Sequence, residues 1–290
     1  MSKISRLIWF ILFFTMLLPV SSHTADRLKL SSTTSTDNTG LLAYILPVFE
    51  EKTGVRVDVI AVGTGRALKL AENGDVDATL VHAPEKELHF EAMGHGVHRQ
   101  QIMANYFVIV GPGEDPAGIA NASSPAAAFE RVTNVRAPFI SRGDESGTHT
   151  KEIAIWKSTG KNPTGNKWYL ETGKGMGETL TMADEKRGYT LSDMGSFLKF
   201  RKRLDLEILF QKKSDLLFNP YSIIAVNPER HPHVNYSGAV RLIEFLSSPE
   251  GQSLIGDFTD GSGNRMFEPL VGSDSFNVQG STFKVNLNGK

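Results

Sequence analysis

The chain has 290 residues, a formal charge of −1, 40% hydrophobic residues and no cysteine. A near-neutral balance argues against nucleic acid or an acidic surface as partner. Without thiols there are no disulfides, thiolate metal sites or lipidated leader cysteine, and the length allows one large domain or two smaller ones.

Residues 1–25 read as an export leader. Lys3 and Arg6 form a basic start, 7–20 is almost wholly apolar, and Ser21-Ser22-His23-Thr24-Ala25 turns small and polar. This is the layout of a cleavable signal peptide, with cleavage expected after Ala25. The apolar run is about 21 Å long as a helix, short of the roughly 30 Å hydrocarbon core. Losing Lys3 and Arg6 moves the charge from −1 to −3.

From there short apolar strands alternate with helices, so an α/β fold is expected. A strand at 28–31 leads to a helix at 40–51, with Leu41, Leu42, Ile45, Val48 and Phe49 on its apolar side. Pro47 is expected to bend it. A strand at 55–61, a short helix at 66–72, a strand at 77–81 and a helix at 85–93 follow. Strong strands are read at 105–110 and 221–226. Between them come a short strand at 138–141, a helix at 148–157, a second at 177–187 and a third at 192–201, then a strand at 206–210. Ser192 is the expected cap of the third helix, with Asp193 in its first turn. Helices at 237–246 and 249–258 precede a tail rich in Gly, Ser and Asn after Leu270. The strands at 105–110 and 221–226 are taken as two crossings between lobes. One lobe is then 26–106 plus 229–290, the other 107–228; the alternative is two sequential domains.

Three segments place hydroxyls and glycines at a predicted helix start, just after a strand: Ser32-Thr33-Thr34-Ser35-Thr36, Gly63-Thr64-Gly65, and Arg142-Gly143-Asp144-Glu145-Ser146-Gly147-Thr148. A helix start offers unpaired N–H groups and partial positive charge, which suits an anion. Thr33, Thr34 and Ser35 present more hydroxyls than one cap requires, although capping alone is the plainer reading of any single segment. Gly63 and Gly65 let backbone approach a ligand, and Thr64 adds a hydroxyl. The Lys-Ser/Thr of a phosphate-binding P-loop is missing there. Arg142 offers a fork of donors that Asp144 could orient, and Ser146, Gly147 and Thr148 add hydroxyls and N–H groups. His82, His89, His95 and His98 match no usual metal-ligand spacing. His82 and His149 are read as structural, and Arg142-Gly143-Asp144 is too short a match to mark an adhesion ligand.

On these residues the chain resembles the TupA-type tungstate-binding proteins of bacterial ABC importers. The resemblance runs through Val62-Gly63-Thr64-Gly65-Arg66-Ala67-Leu68, Leu80-Val81-His82-Ala83, Asn105-Tyr106-Phe107-Val108-Ile109-Val110-Gly111-Pro112, Ser146-Gly147-Thr148-His149 and Gly175-Met176-Gly177-Glu178-Thr179-Leu180. It implies a type II periplasmic binding protein: two α/β lobes joined by two crossover strands, with the ligand in the cleft. It also implies a monomer without resident cofactor, handing its anion to an ABC permease and ATPase. Thr33, Ser35, Thr64 and Arg142 are the contacts implied, and Ser146, Gly147 and Thr148 match helix-start contacts of phosphate receptors. Those receptors carry an aspartate where this chain has His82. Tungstate and molybdate are deprotonated near neutral pH and need only donors, which favours them over phosphate. Molybdate, sulfate or phosphate reception is the first alternative. A phosphate-ester hydrolase is the second, since His149 is three residues from Ser146 on the same helix. A site of donors alone predicts weak pH dependence between pH 6.5 and 8.5, with His82 the exception to test.

Overall fold

A computed structural model describes residues 26–260 and 263–272; the expected leader at 1–25 and the tail from 273 lie outside the described residues. Among those described, no helix is long and apolar enough to cross a membrane.

Strand β1 (Arg27–Thr33) runs into a short helix α1 (Thr34–Thr39) and then α2 (Leu41–Thr53). The helical segment expected from Gly40 therefore starts earlier and is broken at Gly40, whose φ of 86° only glycine adopts freely. Helix α2 continues through Pro47 and buries Leu41, Leu42, Ile45, Leu46 and Phe49 on one face. Strand β2 (Arg56–Val62), α3 (Thr64–Asn73), β3 (Ala78–Val81) and α4 (Pro84–Ala92) follow. β1 lies between β2 and β3 and parallel to both, with Thr33 beside Val62 and Ser32 beside Leu80. The carboxyl ends of these strands bring Thr33–Ser35, Gly63–Gly65 and His82 to one sheet edge, where open α/β sheets bind ligands.

Strand β4 (Gly96–Pro112) is far longer than the stretch expected at 105–110. After it come α5 (Pro125–Val135), β5 (Phe139–Ser141), α6 (Gly147–Ser158), β6 (Tyr169–Glu171) and α7 (Met176–Glu185). Then β7 (Thr190–Asp193), α8 (Met194–Phe200), β8 (Leu206–Phe210), β9 (Phe218–Val226), α9 (Tyr236–Ser247), α10 (Pro249–Asp257) and β10 (Glu268–Pro269) complete the described chain. From Gly96 to Tyr106, β4 pairs with β9; from Phe107 onward it pairs with β7 and β8.

The apolar side chains separate along the same line. Ile102 and Met103 of β4 join Leu28, Leu30, Phe49, Leu80, Ile223 and Leu242 in one core. Phe107 and Ile109 join Phe129, Phe139 and Trp156, and Val108 and Val110 join Ile140, Leu180 and Phe197, on the other side. Each fully buried Leu, Ile or Phe contributes about 1.5–3 kcal/mol. Each half thus has its own apolar core, and β4 is a strand shared by both.

Two expectations are corrected. The stretch 221–226 is not a crossing: β9 lies inside the first sheet, between β3 and β4. The chain re-enters that sheet at Phe218, ten residues before the expected boundary at 228. An uninterrupted apolar strand suits a central position as well as a crossing, so its sequence could not separate them. The cap of α8 is Asp193, not Ser192: Asp193 Oδ1 accepts from Ser196 N at 2.8 Å, and Ser192 belongs to β7.

Candidate functional site

At the end of β1, five consecutive polar residues settle into different roles. Ser32 Oγ donates to Leu80 O across the sheet at 3.0 Å. Thr33 caps α1, its Oγ1 accepting from Thr36 N at 3.2 Å. Thr33 Oγ1 also lies 2.6 Å from Thr36 Oγ1 and 3.0 Å from Ser35 Oγ. Thr34 is exposed, whereas Thr33, Ser35 and Thr36 are buried. The buried hydroxyls of Thr33, Ser35 and Thr36 therefore form a connected chain, with Thr34 exposed beside it.

That chain ends on a histidine. Ser35 Oγ lies 3.2 Å from His82 Nε2, and His82 Nδ1 lies 3.0 Å from Asn219 Oδ1. The ring stacks on Tyr221, centroids 4.6 Å apart. Asn219 Nδ2 donates to Asn105 Oδ1 at 2.7 Å and to Tyr221 OH at 3.1 Å, which turns its carbonyl toward the imidazole. Burial pushes His82 below the ordinary imidazole pKa and Arg142 pushes the same way; Asp193 and the Asn219 hydrogen bond oppose it. Burial likewise raises Tyr221.

Gly63, Thr64 and Gly65 lie at the same sheet edge, at the start of α3. Thr64 is buried, while Gly63 and Gly65 are exposed. A Cβ at either glycine would meet nothing within 4 Å. No crowding by neighbours demands glycine here, so the space over this turn is open.

The other wall comes from the loop between β5 and α6. Gly143 and Glu145 both take left-handed backbone, with φ of 58° each. At Gly143 a Cβ would also meet Glu171 Cβ at 2.8 Å. The loop is held by Gly173 N donating to Arg142 O at 2.8 Å and by Thr172 Oγ1 donating to the same carbonyl. Arg142 is buried; its Nη2 donates to Asp144 Oδ2 at 2.5 Å, the pairing expected from the sequence. Its Nε is buried without a partner among the described residues. Ser146 caps α6 by accepting from His149 N at 3.2 Å. Thr148 is buried and its Oγ1 has no partner among the described residues. An unpaired buried donor of this kind costs about 1–3 kcal/mol. Behind this turn Glu152 accepts from Trp156 Nε1 at 3.0 Å and Tyr169 OH at 2.7 Å, and burial pushes its carboxyl up to about 7.

The walls meet. A Cβ at Gly147 would lie 3.3 Å from His82 Cε1 and 3.3 Å from its carbonyl oxygen. Lys86 Nζ donates to Glu145 O at 3.2 Å. A cleft of about 950 Å³ opens beside this junction, lined by Thr34, Ser35 and Asn38 on one side and by Arg142 and Glu178 on the other. The structure therefore gathers Thr33, Thr34, Ser35, Arg142 and Gly147 around one junction. Ser146 and Thr148 adjoin it on α6, but Gly63–Gly65 share only the sheet edge and do not line the cleft.

His82, read from the sequence as a structural histidine and the one pH exception, is hydrogen-bonded to both Ser35 and Asn219. Sequence reading missed two participants. Asn219 lies 137 residues from His82, beyond any local pattern. Asp193 is fully buried, and its Oδ2 has no partner among the described residues. His149 is engaged elsewhere: its Nδ1 accepts from Glu145 N at 3.0 Å, so the ring does not bond the Ser146 hydroxyl. Among the described residues no group of three or more His, Asp or Glu comes together that could hold a metal ion.

The family model of the PBP superfamily domain matches residues 20–250. The chain is 42% identical over 231 residues to the tungstate-binding protein TupA of Peptoclostridium acidaminophilum, covering 79% of this chain and 80% of that one. Two solved structures share the fold at high identity. That of the tungstate ABC transporter from Geobacter sulfurreducens is 55% identical with a TM-score of 0.75, covering 80% of this chain and 98% of the other. That of TupA from Desulfovibrio alaskensis G20 is 43% identical with a TM-score of 0.77, covering 85% and 100%.

Proposed function

The chain belongs to the PBP superfamily and, within it, to the TupA family of tungstate-binding proteins, and from that premise we propose that its cleft is an oxyanion site serving import. It is a solute-binding protein that captures tungstate and delivers it to an ABC permease and its ATPase. It works as a monomer in the periplasm once the leader has been removed. The proposed contacts around the junction are Thr33, Thr34, Ser35, Arg142, Ser146, Gly147 and Thr148; Gly63, Thr64 and Gly65, which share the sheet edge without lining the cleft, would be reached only when the lobes close. Two lobes, meeting at β4 and at the segment before β9, would close over the anion.

One observation supports this reading above all: Arg142 Nε and Thr148 Oγ1, on one wall, are buried donors with no acceptor among the described residues. A bound oxyanion supplies the missing acceptor and offsets the cost of burying Arg142. Desolvation in the cleft strengthens each bond. The open space over Gly63 and Gly65 supports the same reading. Binding rather than hydrolysis is favoured by the alpha-helical turn at Ser146. Its hydroxyl caps the helix, and the His149 ring is turned to Glu145 N, so the serine lacks a positioned base.

Calorimetric titration of the purified protein, stripped of carried-over ligand, tests the reading. Submicromolar binding of tungstate at one site is expected, with sulfate and phosphate silent; the molybdate trace measures selectivity. A folded protein that binds none of the four anions would overturn it.

A further inference from the structure

The hydroxyls that face the anion are not free donors, and a proton count shows what frees them. A serine or threonine hydroxyl has one hydrogen to donate. Asn219 directs its carbonyl at His82 Nδ1, and a carbonyl can only accept, so Nδ1 carries a hydrogen. A neutral imidazole then has a bare Nε2, and the only hydrogen on the 3.2 Å contact is that of Ser35. Ser35 thus donates to His82. The 3.0 Å contact to Thr33 must be made with the hydrogen of Thr33, and the 2.6 Å contact between Thr33 and Thr36 with that of Thr36. Every hydroxyl hydrogen in the chain points toward the histidine. None of these three buried hydroxyls has a hydrogen left for a ligand; the exposed Thr34 stands outside the chain.

A second proton on the ring reverses the last link. Nε2–H then donates to Ser35 Oγ, and the Ser35 hydrogen is released toward the cleft that Ser35 lines. We propose, on the reading that the cleft binds a tungstate dianion, that His82 takes up a proton as the anion binds and thereby converts Ser35 into a ligand donor. His82 is a positioning residue in this scheme: it acts through Ser35 and contributes positive charge from behind it.

The charges around the ring fit this use. Arg142, from the wall opposite, and burial both disfavour the imidazolium in the empty protein, while Asp193 of β7 favours it. Tyr221 and Asn219 of β9 and Asn105 of β4 are neutral neighbours. Glu87 on α4, five residues along the chain, is paired with Arg99 at 2.8 Å. An incoming dianion beside Ser35 adds negative charge where only Asp193 had supplied it, and so raises the proton affinity of the ring. The expectation of weak pH dependence, drawn from donors alone, is replaced. Affinity should fall as pH rises, approaching tenfold per pH unit where the free ring is neutral and the bound ring charged.

The test is tungstate calorimetry on the wild-type protein and His82→Gln, between pH 6.5 and 8.5, in pairs of buffers with different ionisation enthalpies. The wild type should take up close to one proton per tungstate over part of that range, with affinity falling toward high pH. His82→Gln should take up none and show a flat profile. Nitrogen-15 spectra of the histidine rings provide the second readout, needing no variant: His82 should be a neutral Nδ1–H ring without ligand and doubly protonated with tungstate. Binding without proton uptake, uptake that persists in His82→Gln, or a neutral ring in the tungstate complex would overturn the proposal and leave the receptor reading standing. Failure of the wild type to bind tungstate at any pH would instead overturn the reading on which it rests.

Discussion

Around the cleft, the hydroxyls of Thr33, Ser35 and Thr36 bond to one another and to His82, whereas on the facing wall Arg142 Nε and Thr148 Oγ1 are buried with no partner among the described residues. Both walls have the same kind of sequence, small polar residues between a strand and a helix. One wall pairs its hydroxyls internally, and the other keeps buried donors that the proposed anion would pair. The difference teaches that the first wall should matter to stability as well as to binding. The second should matter mainly to binding, because its orphaned donors cost the unliganded fold free energy.

The sharpest way to break this comparison is Arg142→Gln. Removing a charged donor should weaken tungstate binding roughly a hundredfold, in line with about 1.5–3 kcal/mol for a hydrogen bond to a charged group. Nε has no partner to lose, but the variant also gives up the Nη2–Asp144 pair, so the unliganded protein should melt modestly below wild type, by far less than the loss in binding. Calorimetry and thermal melts read the two effects separately, and a collapse in melting temperature would show that Arg142 is chiefly structural.

The second wall is also backed by a buried acid, which makes it sensitive to pH. Burial pushes the Glu152 carboxyl up to about 7, against an ordinary carboxyl value of about 4.5. The unfolded carboxyl ionises first, so this group's contribution to stability declines as pH rises from about 4.5 to 7 and then levels off. The total is roughly 3 kcal/mol. Glu152→Gln, neutral throughout, should lack that decline. Urea midpoints from pH 4.5 to 8 should show the variant gaining on the wild type as pH rises, and parallel curves would exclude a raised Glu152.

Thr148→Val sharpens the comparison at its centre. Replacing an unpartnered hydroxyl by a methyl of similar shape should lower tungstate affinity about tenfold, yet leave the empty protein as stable or about 1 kcal/mol more so. Thr33→Val should have the smaller effect and the opposite balance. It removes the α1 cap, which typically costs about 1 kcal/mol of stability. A melt of each variant with and without tungstate decides whether the two walls differ as described.

Much of this was legible in the chain. The alternation of strands and helices placed most elements within a few residues, because buried faces repeat at 2 and 3.6 residues whatever their neighbours. The three turns were found because Gly, Ser and Thr between strand and helix have few other uses. Arg142 and Asp144 were paired correctly because their contact is two residues long. Local pattern failed where the answer was distant. Ser192 and Asp193 were both acceptable caps, and only the pairing of Phe107 with Asp193 in the β4–β7 ladder decided between them. Helix α5, capped by Ser124 and packed through Phe129 against Phe139, was not anticipated.

By itself the sequence determined the α/β class, the export leader as an expectation, the donor-rich turns and the likeness to tungstate receptors. These depend on residue type and near neighbours, where side-chain chemistry and backbone preference act over a few bonds. Only the tertiary structure decided that β9 is a central strand, that Asn219 orients His82, that Ser35 ends on that ring, and that Arg142 and Thr148 keep unpaired donors. Whether a buried polar atom is satisfied depends on what the folded chain brings within about 3 Å of it, from any distance along the sequence.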